Sequence, residues 1–375
     1  MRRHARIWLA ALAVGAGFAG FVATPPARAA GAAPITLGAI LPLTGPGAVI
    51  GTEQMKGIQF ALKQQNAKGG VAGHPINVVF EDDQAKPDQA VLEFNKLVDL
   101  QHLPMIFTAY SGPSLAMAPL ATRKHVLMLN AGAQSDQLAK ASPYMFNTLP
   151  TTQDEVAVMV KYLRAHGKST AAVLYENDAA GIGGRDDFVR EFKAAGGKIL
   201  AQEPSQFGQT DYRAALLKLA ASKPQVLFVV TTAGVKPMAD QLHQMKQSWL
   251  VAGTTFMEDP QAIADPNSAG IIHTQVVADA SPELMAEFKQ AMGADMGFFS
   301  RQYYNATQIM FVLIDKLIAE KKPITGANLR AAIFQIKTFH GLVPMTFTTN
   351  TAVVPVAINE MTGGSEKTIA TATAH

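Results

Sequence analysis

No cysteine occurs among the 375 residues. Disulfides are therefore excluded, as are thiolate metal sites and thiol lipidation, and stability must come from ordinary core burial. Basic excess is missing as well. Setting aside Arg2, Arg3, Arg6 and Arg28 at the extreme N-terminus leaves 28 of the 32 basic residues against 29 acidic ones. Without a Lys/Arg run, the electrostatic footprint of a nucleic-acid binder is absent. Aromatic residues are scarce, at 7%. After residue 30 no apolar run is long enough to span a bilayer: 309–318 (IMFVLIDKLI) is short and broken by Asp315 and Lys316.

The first thirty residues read differently. Arg2, Arg3, His4 and Arg6 precede an uncharged apolar run over 7–22, and small residues at Ala27 and Ala29 follow Pro25 and Pro26. This is the pattern of a secretory leader, expected to be cleaved after Ala29 or Ala30 and to deliver a freely diffusing protein to the periplasm. Roughly 345 residues would remain, more than one core of ~250–300 residues usually serves, so two lobes are expected.

Short Val/Ile/Leu/Phe runs at 35–41, 76–83, 105–110 and 126–131 alternate with helical patterns at 53–65, 88–99 and 114–123. Strand and helix at this spacing predict right-handed crossovers and a doubly wound parallel sheet. After Pro150 the alternation restarts: strands at 170–176, 198–203, 225–231 and 249–255, with helices at 153–166, 184–195, 211–222 and 238–246. Helices then dominate at 283–292, 303–320 and 326–336, too apolar to stand alone and expected to return to the first lobe. A hairpin-like pair around 349–351 ends in a polar tail expected to fray. The predicted crossings fall near Pro150, Asp279 and Gly341. The division is a leader at 1–30, a first lobe of 34–150 plus 282–341, and a second of 151–281 plus 342–375.

Ligands of open parallel sheets sit at the carboxyl ends of strands, where helices present free N–H groups. The third strand ends in Tyr110-Ser111-Gly112-Pro113-Ser114 and the fourth in Asn130-Ala131-Gly132-Ala133-Gln134-Ser135. Both combine hydroxyls, a glycine that admits close approach and a helix start, a combination suited to a carboxylate. Simple helix capping by Ser111, Ser114 and Ser135 is the competing explanation.

The series ITLGAILPLTGPGAVIGTEQMKGIQFALKQQNAKGGVAGHPINVVFEDDQAKPDQAV, SGPSLAMAPLA, LNAGAQS, FNTLP, GQTDYRAAL and QVLFVVTTAG resembles, in order and over nearly the whole chain after the leader, the type I periplasmic solute-binding proteins of the leucine/isoleucine/valine-binding class that feed ABC importers. The resemblance implies an α/β fold of two Rossmann-like lobes with parallel sheets joined by three crossover segments, a Venus-flytrap that closes on a small ligand. It implies no catalytic residue, no cofactor and no metal, an inner-membrane ABC permease as partner, and a monomer. It assigns the ligand carboxylate to Ser111 (hydroxyl and amide), Gly132 (carbonyl) and Gln134 (amide).

Where amino-acid binders of that class place tyrosines and an acidic residue for the ligand ammonium, this chain has Ile50, Ala180 and Gly234. Glu258, or Asp259 beside it, is the candidate acidic partner. Phe299 is the candidate aromatic facing the ligand side chain, with Tyr110 and Phe207 as candidate walls. A branched-chain or related amino acid, or a small amide, is the expected ligand; without a reliable ammonium partner, an aromatic or other apolar acid is the alternative.

Rival chemistries find little support. Gly181-Ile182-Gly183-Gly184 lacks the third glycine of a dinucleotide fingerprint, Asp186 standing in its place. Ser111 lacks both outer glycines of a nucleophile elbow. The nine histidines show no H-E-x-x-H spacing. A periplasmic sensor subunit would present the same cleft as a transport protein.

Overall fold

The computed structural model describes residues 32–231, 234–278 and 280–373; the leader pattern at 1–30 lies outside them. In the first lobe, strands β1 (Ile35–Leu41), β2 (Ile76–Asp82), β3 (Met105–Thr108), β4 (Leu127–Asn130) and β5 (Met145–Asn147) alternate with helices α1 (Ala48–Ala67), α2 (Pro87–Asn95), α3 (Ser111–Lys124) and α4 (Leu138–Ala141). The second lobe carries α5 (Thr152–Ala165), β6 (Thr170–Glu176), α6 (Ala179–Ala194), β7 (Lys198–Ser205), α7 (Arg213–Ala221), β8 (Val226–Val230), α8 (Val235–Met245), β9 (Leu250–Gly253), α9 (Pro260–Ile263) and β10 (Ile272–Val276). Helices α10 (Pro282–Met292), α11 (Phe298–Ala319) and α12 (Gly326–Ile336) follow, then short strands β11 (Thr338–Phe339), β12 (Met345–Phe347) and β13 (Ala352–Val353), and finally β14 (Pro355–Met361) and β15 (Glu366–Thr373).

The first sheet is parallel throughout, in the order β2-β1-β3-β4-β5. The second repeats that winding as β7-β6-β8-β9-β10, then adds β14 and β15 antiparallel at one edge. Central strands such as β4 and β8 are buried along their whole length. Helices cover both faces, so these strands read as unbroken apolar runs rather than alternating ones.

Helix α11 packs against α1 of the first lobe. Its Ile309, Met310, Leu313 and Ile314 join the core under α1. The two helices approach so closely at Gly57 that a Cβ there would stand 2.3 Å from the Ser300 carbonyl oxygen.

Two expectations need correction. The third crossing lies at Val354, not near Gly341. Residues 343–354 remain with the first lobe, where Phe347 packs edge-on to Phe146 (5.8 Å) and the Asn147 amide donates to the Asn350 carbonyl (2.8 Å). Short strands with few apolar residues hid that allegiance. The tail is likewise not frayed to its end: 366–373 forms β15, paired with β14 from Met361–Glu366 to Pro355–Thr373. Its alternating Thr and Ala suit an outer strand.

Candidate ligand-binding cleft

The strand order of each sheet reverses beside its first strand, and there the carboxyl ends of the two sheets face one another. Ile50 of α1, Tyr110 and Ser111 at the start of α3, and Gly132 and Ala133 after β4 come from the first lobe. Ala180 at the start of α6 and Phe256 after β9 oppose them. Between them remains a cavity of about 10 Å³, so the lobes are shut against each other.

Each first-lobe element has a local cause. Asp82 at the end of β2 pins the loop before α1, accepting from the Leu43 amide (2.8 Å) and the Thr44 hydroxyl (2.5 Å). Tyr110 takes φ +55°, ψ 138°, a costly conformation for an aromatic residue. That turn lets α3 begin at Ser111, with the free N–H groups of its first turn at the cavity. Ser114 is used structurally: its hydroxyl bonds Thr108 Oγ1 (2.9 Å) and the Ala109 carbonyl (3.2 Å). After β4, the buried Asn130 side chain shapes the next loop. Its Oδ1 accepts from the Gly132 and Ala133 amides (3.0 and 2.8 Å), while its Nδ2 donates to the Ala133 carbonyl (2.7 Å). Ser111 Oγ accepts from the Ser135 amide (3.3 Å), tying the two loops together.

Contacts between the lobes ring this point. Tyr110 meets Phe207 edge-to-face, centroids 5.8 Å apart. A Cβ on Gly208, which sits at φ +70°, would lie 2.5 Å from Pro46 Cβ. Across from Ser135 stands Gly183 of α6. The glycines of this helix start serve packing, since a Cβ on Gly181 or Gly184 would collide with the Glu176 carbonyl or Val230.

Of the residues named from sequence, Tyr110, Ser111 and Gly132 come together here, as do Ile50 and Ala180. Phe207 stands beside them against Tyr110, and the remaining ones lie elsewhere. Gln134 turns its side chain away: Nε2 donates to Glu155 Oε1 (2.6 Å) and to the Pro150 carbonyl (3.2 Å), and Ala133 takes its place at the cavity. Phe299 packs beside Phe298 in the first-lobe core (5.1 Å), anchoring α11. Gly234 caps α8 against Tyr212.

Glu258 opens on a different crevice, with Glu53 and Arg301, and receives the Gln275 amide. Burial, and next the neighbouring Glu366, push its pKa up to about 8. The reason for the misplacement is geometric. Thr255–Met257 is a tight helical turn, so Phe256 faces the cleft while Glu258, two residues on, is carried to another side. In the sequence Phe256 is an aromatic between Thr255 and Met257, overshadowed as a ligand candidate by the acidic Glu258 and Asp259 of the same loop.

The family model described as "Periplasmic binding protein" matches residues 34–365. The Leu/Ile/Val-binding protein BraC3 of Rhizobium johnstonii is 26% identical over 295 residues, 76% of this chain and 80% of that protein. A solute-binding protein of an ABC transporter from Rhodopseudomonas palustris, solved in complex with 3,4-dihydroxybenzoic acid, superposes with a TM-score of 0.82 at 23% identity, covering 91% of this chain and 97% of the other. The leucine-binding protein LivK of Thermotoga maritima gives 0.81 at 18% identity, covering 90% and 98%. With two like-wound sheets, three crossings and a cleft at their facing strand ends, this chain belongs to the periplasmic binding protein family, as a type I member of the leucine/isoleucine/valine-binding class.

Proposed function

We propose that the protein is the solute-binding component of an ABC importer and captures a small carboxylate-bearing molecule in the cleft by closing its lobes. The observation that carries this reading is the lining itself. The start of α3, with the Ser111 hydroxyl, offers donors to a carboxylate, while Ile50, Tyr110, Ala180 and Phe256 offer apolar walls. Ligand touching both lobes adds free energy only to the closed arrangement, and a few kcal/mol of such difference makes it dominant. An inner-membrane permease that reads both lobe surfaces together then senses occupancy. The protein acts as a monomer, is exported by the leader at 1–30, and binds its ligand without transforming it.

Among the described residues the lining contains no carboxylate to answer an ammonium group. Burying that cation unpaired costs several kcal/mol, which favours an aromatic or other apolar acid. Solute-binding proteins of Rhodopseudomonas palustris with this fold were solved with benzoate and 4-hydroxybenzoate. Relatives named for Leu/Ile/Val binding support a branched-chain amino acid instead. A thermal-shift series of benzoate, 4-hydroxybenzoate, leucine and isoleucine separates the two. Benzoates at 100-fold excess over Kd should add about 2.7 kcal/mol and raise Tm by roughly 4 °C. A shift with leucine and none with the benzoates would establish the amino-acid reading, and no shift with any of them would refute both.

A further inference from the structure

Gln54 of α1 stands one helical turn beyond Ile50, on the face that the helix presents to the cleft. It is fully buried, yet neither its Nε2 nor its Oε1 has a hydrogen-bond partner among the described residues. Glu53, its neighbour in the helix, points instead to the other crevice, with Oε1 near the Ser300 amide (3.4 Å). A buried amide with its donors and its acceptor all idle is a costly arrangement, and such a group in a folded protein calls for an explanation.

Its position supplies one. A Cβ on Gly132, which lines the cavity beside Ser111, would stand 2.7 Å from Gln54 Nε2 and 2.9 Å from the Tyr303 hydroxyl. The two polar groups therefore flank Gly132 together, and only a glycine at 132 leaves the approach to them open. The Tyr303 hydroxyl gives its hydrogen to the Thr108 carbonyl (2.6 Å) and faces the Ala131 amide, which leaves its oxygen able only to accept. An amide that can both give and accept, beside an oxygen that can only accept, matches a hydroxyl group, which receives one hydrogen bond and gives one. Neither group carries charge, which favours a neutral hydroxyl over an ammonium or a second carboxylate.

We propose that Gln54 is a specificity-determining residue of the cleft, and that the preferred ligand is an aromatic acid bearing a ring hydroxyl, held by its carboxylate at Ser111 and by its hydroxyl at the Gln54 amide. This rests on the carboxylate reading given above. An unsubstituted acid leaves the amide idle, and a site built around a hydrogen bond discriminates against the analogue that lacks it.

Calorimetry on the full chain with benzoate, 3-hydroxybenzoate, 4-hydroxybenzoate and leucine tests the proposal. At least one hydroxybenzoate should bind about tenfold or more tighter than benzoate. In Gln54→Met that advantage should shrink to about threefold or less while benzoate affinity changes little. The variant should melt no lower than the wild type, since a thioether chain strands no polar atoms there. Gln54→Leu should behave alike. Equal affinity for benzoate and both hydroxybenzoates in the wild type, or a preference that survives Gln54→Met and Gln54→Leu, would overturn the proposal and leave the carboxylate reading standing. Binding of leucine alone would overturn it through the class of ligand, and binding of none of these compounds would take the carboxylate reading down with it.

Discussion

Gln134 and Glu155 meet where the first crossover joins the lobes: the Gln134 amide donates to Glu155 Oε1 at 2.6 Å, and the Gln134 carbonyl accepts from the Thr152 amide (2.8 Å) and hydroxyl (2.9 Å). Glu155 is fully buried and also accepts from the Thr255 amide and hydroxyl (2.8 and 2.6 Å) and from the Thr274 hydroxyl (2.7 Å). Burial raises its pKa, and these donors oppose the rise. Gln134 from the first lobe, Thr255 from the turn after β9 and Thr274 of β10 thus share the one carboxylate that α5 supplies. Glu155→Ala strands all of them and should cost ~3 kcal/mol or more in chemical denaturation. Gln134→Ala should lower stability while changing ligand affinity much less than changes at Ser111.

At the cleft itself, Ser111→Ala removes a donor aimed at the ligand's charge. Affinity measured by calorimetry should weaken by roughly 1–3 kcal/mol. Gly132→Ala should weaken binding too, since its Cβ would meet Gln54 Nε2 at 2.7 Å and the Tyr303 hydroxyl at 2.9 Å, displacing the loop. Unaltered affinity in Ser111→Ala would mean the carboxylate is held elsewhere.

Closure can be tested apart from ligand chemistry. Gly208→Val puts a branched side chain at φ +70° and against Pro46, 2.5 Å from where its Cβ would stand. The clash acts only when the lobes are shut. Small-angle scattering should then show no ligand-induced contraction, and affinity should fall by about tenfold or more, 1.4 kcal/mol.

Two buried carboxyls set a pH dependence. Burial raises Glu53 from 4.5 to about 7 and Asp83 from 3.8 to about 7. The native chain therefore keeps protons that the unfolded chain has already released. Their stabilisation is complete below the unfolded values and disappears as pH rises through about 7. Melting temperature should decline between about pH 5 and 8, and Asp83→Asn should flatten the decline. A melting temperature that climbs over this range would contradict the assignment.

How much of this was legible in the sequence depended on whether a signal was local. The strand ends at Tyr110-Ser111 and Asn130-Gly132 carried their own turn chemistry, and the structure sets them side by side. Gln134 carried the same polar character, but its direction was decided by Glu155, 21 residues on. Phe256 and Glu258 exchanged roles through one tight turn that no composition reveals. The third crossing depended on Phe347 choosing Phe146, a partner 201 positions earlier, and such pairings leave no periodic trace.

That α11 must come home to α1 has a bearing on biogenesis. The first lobe begins at Ile35 yet lacks part of its core until Leu317 of α11, then α12 and Val354, have been made. A growing polypeptide thus carries its opening βα units for most of synthesis without the helix that seals them. A product truncated before residue 298 would expose the apolar side of α1 to aggregation.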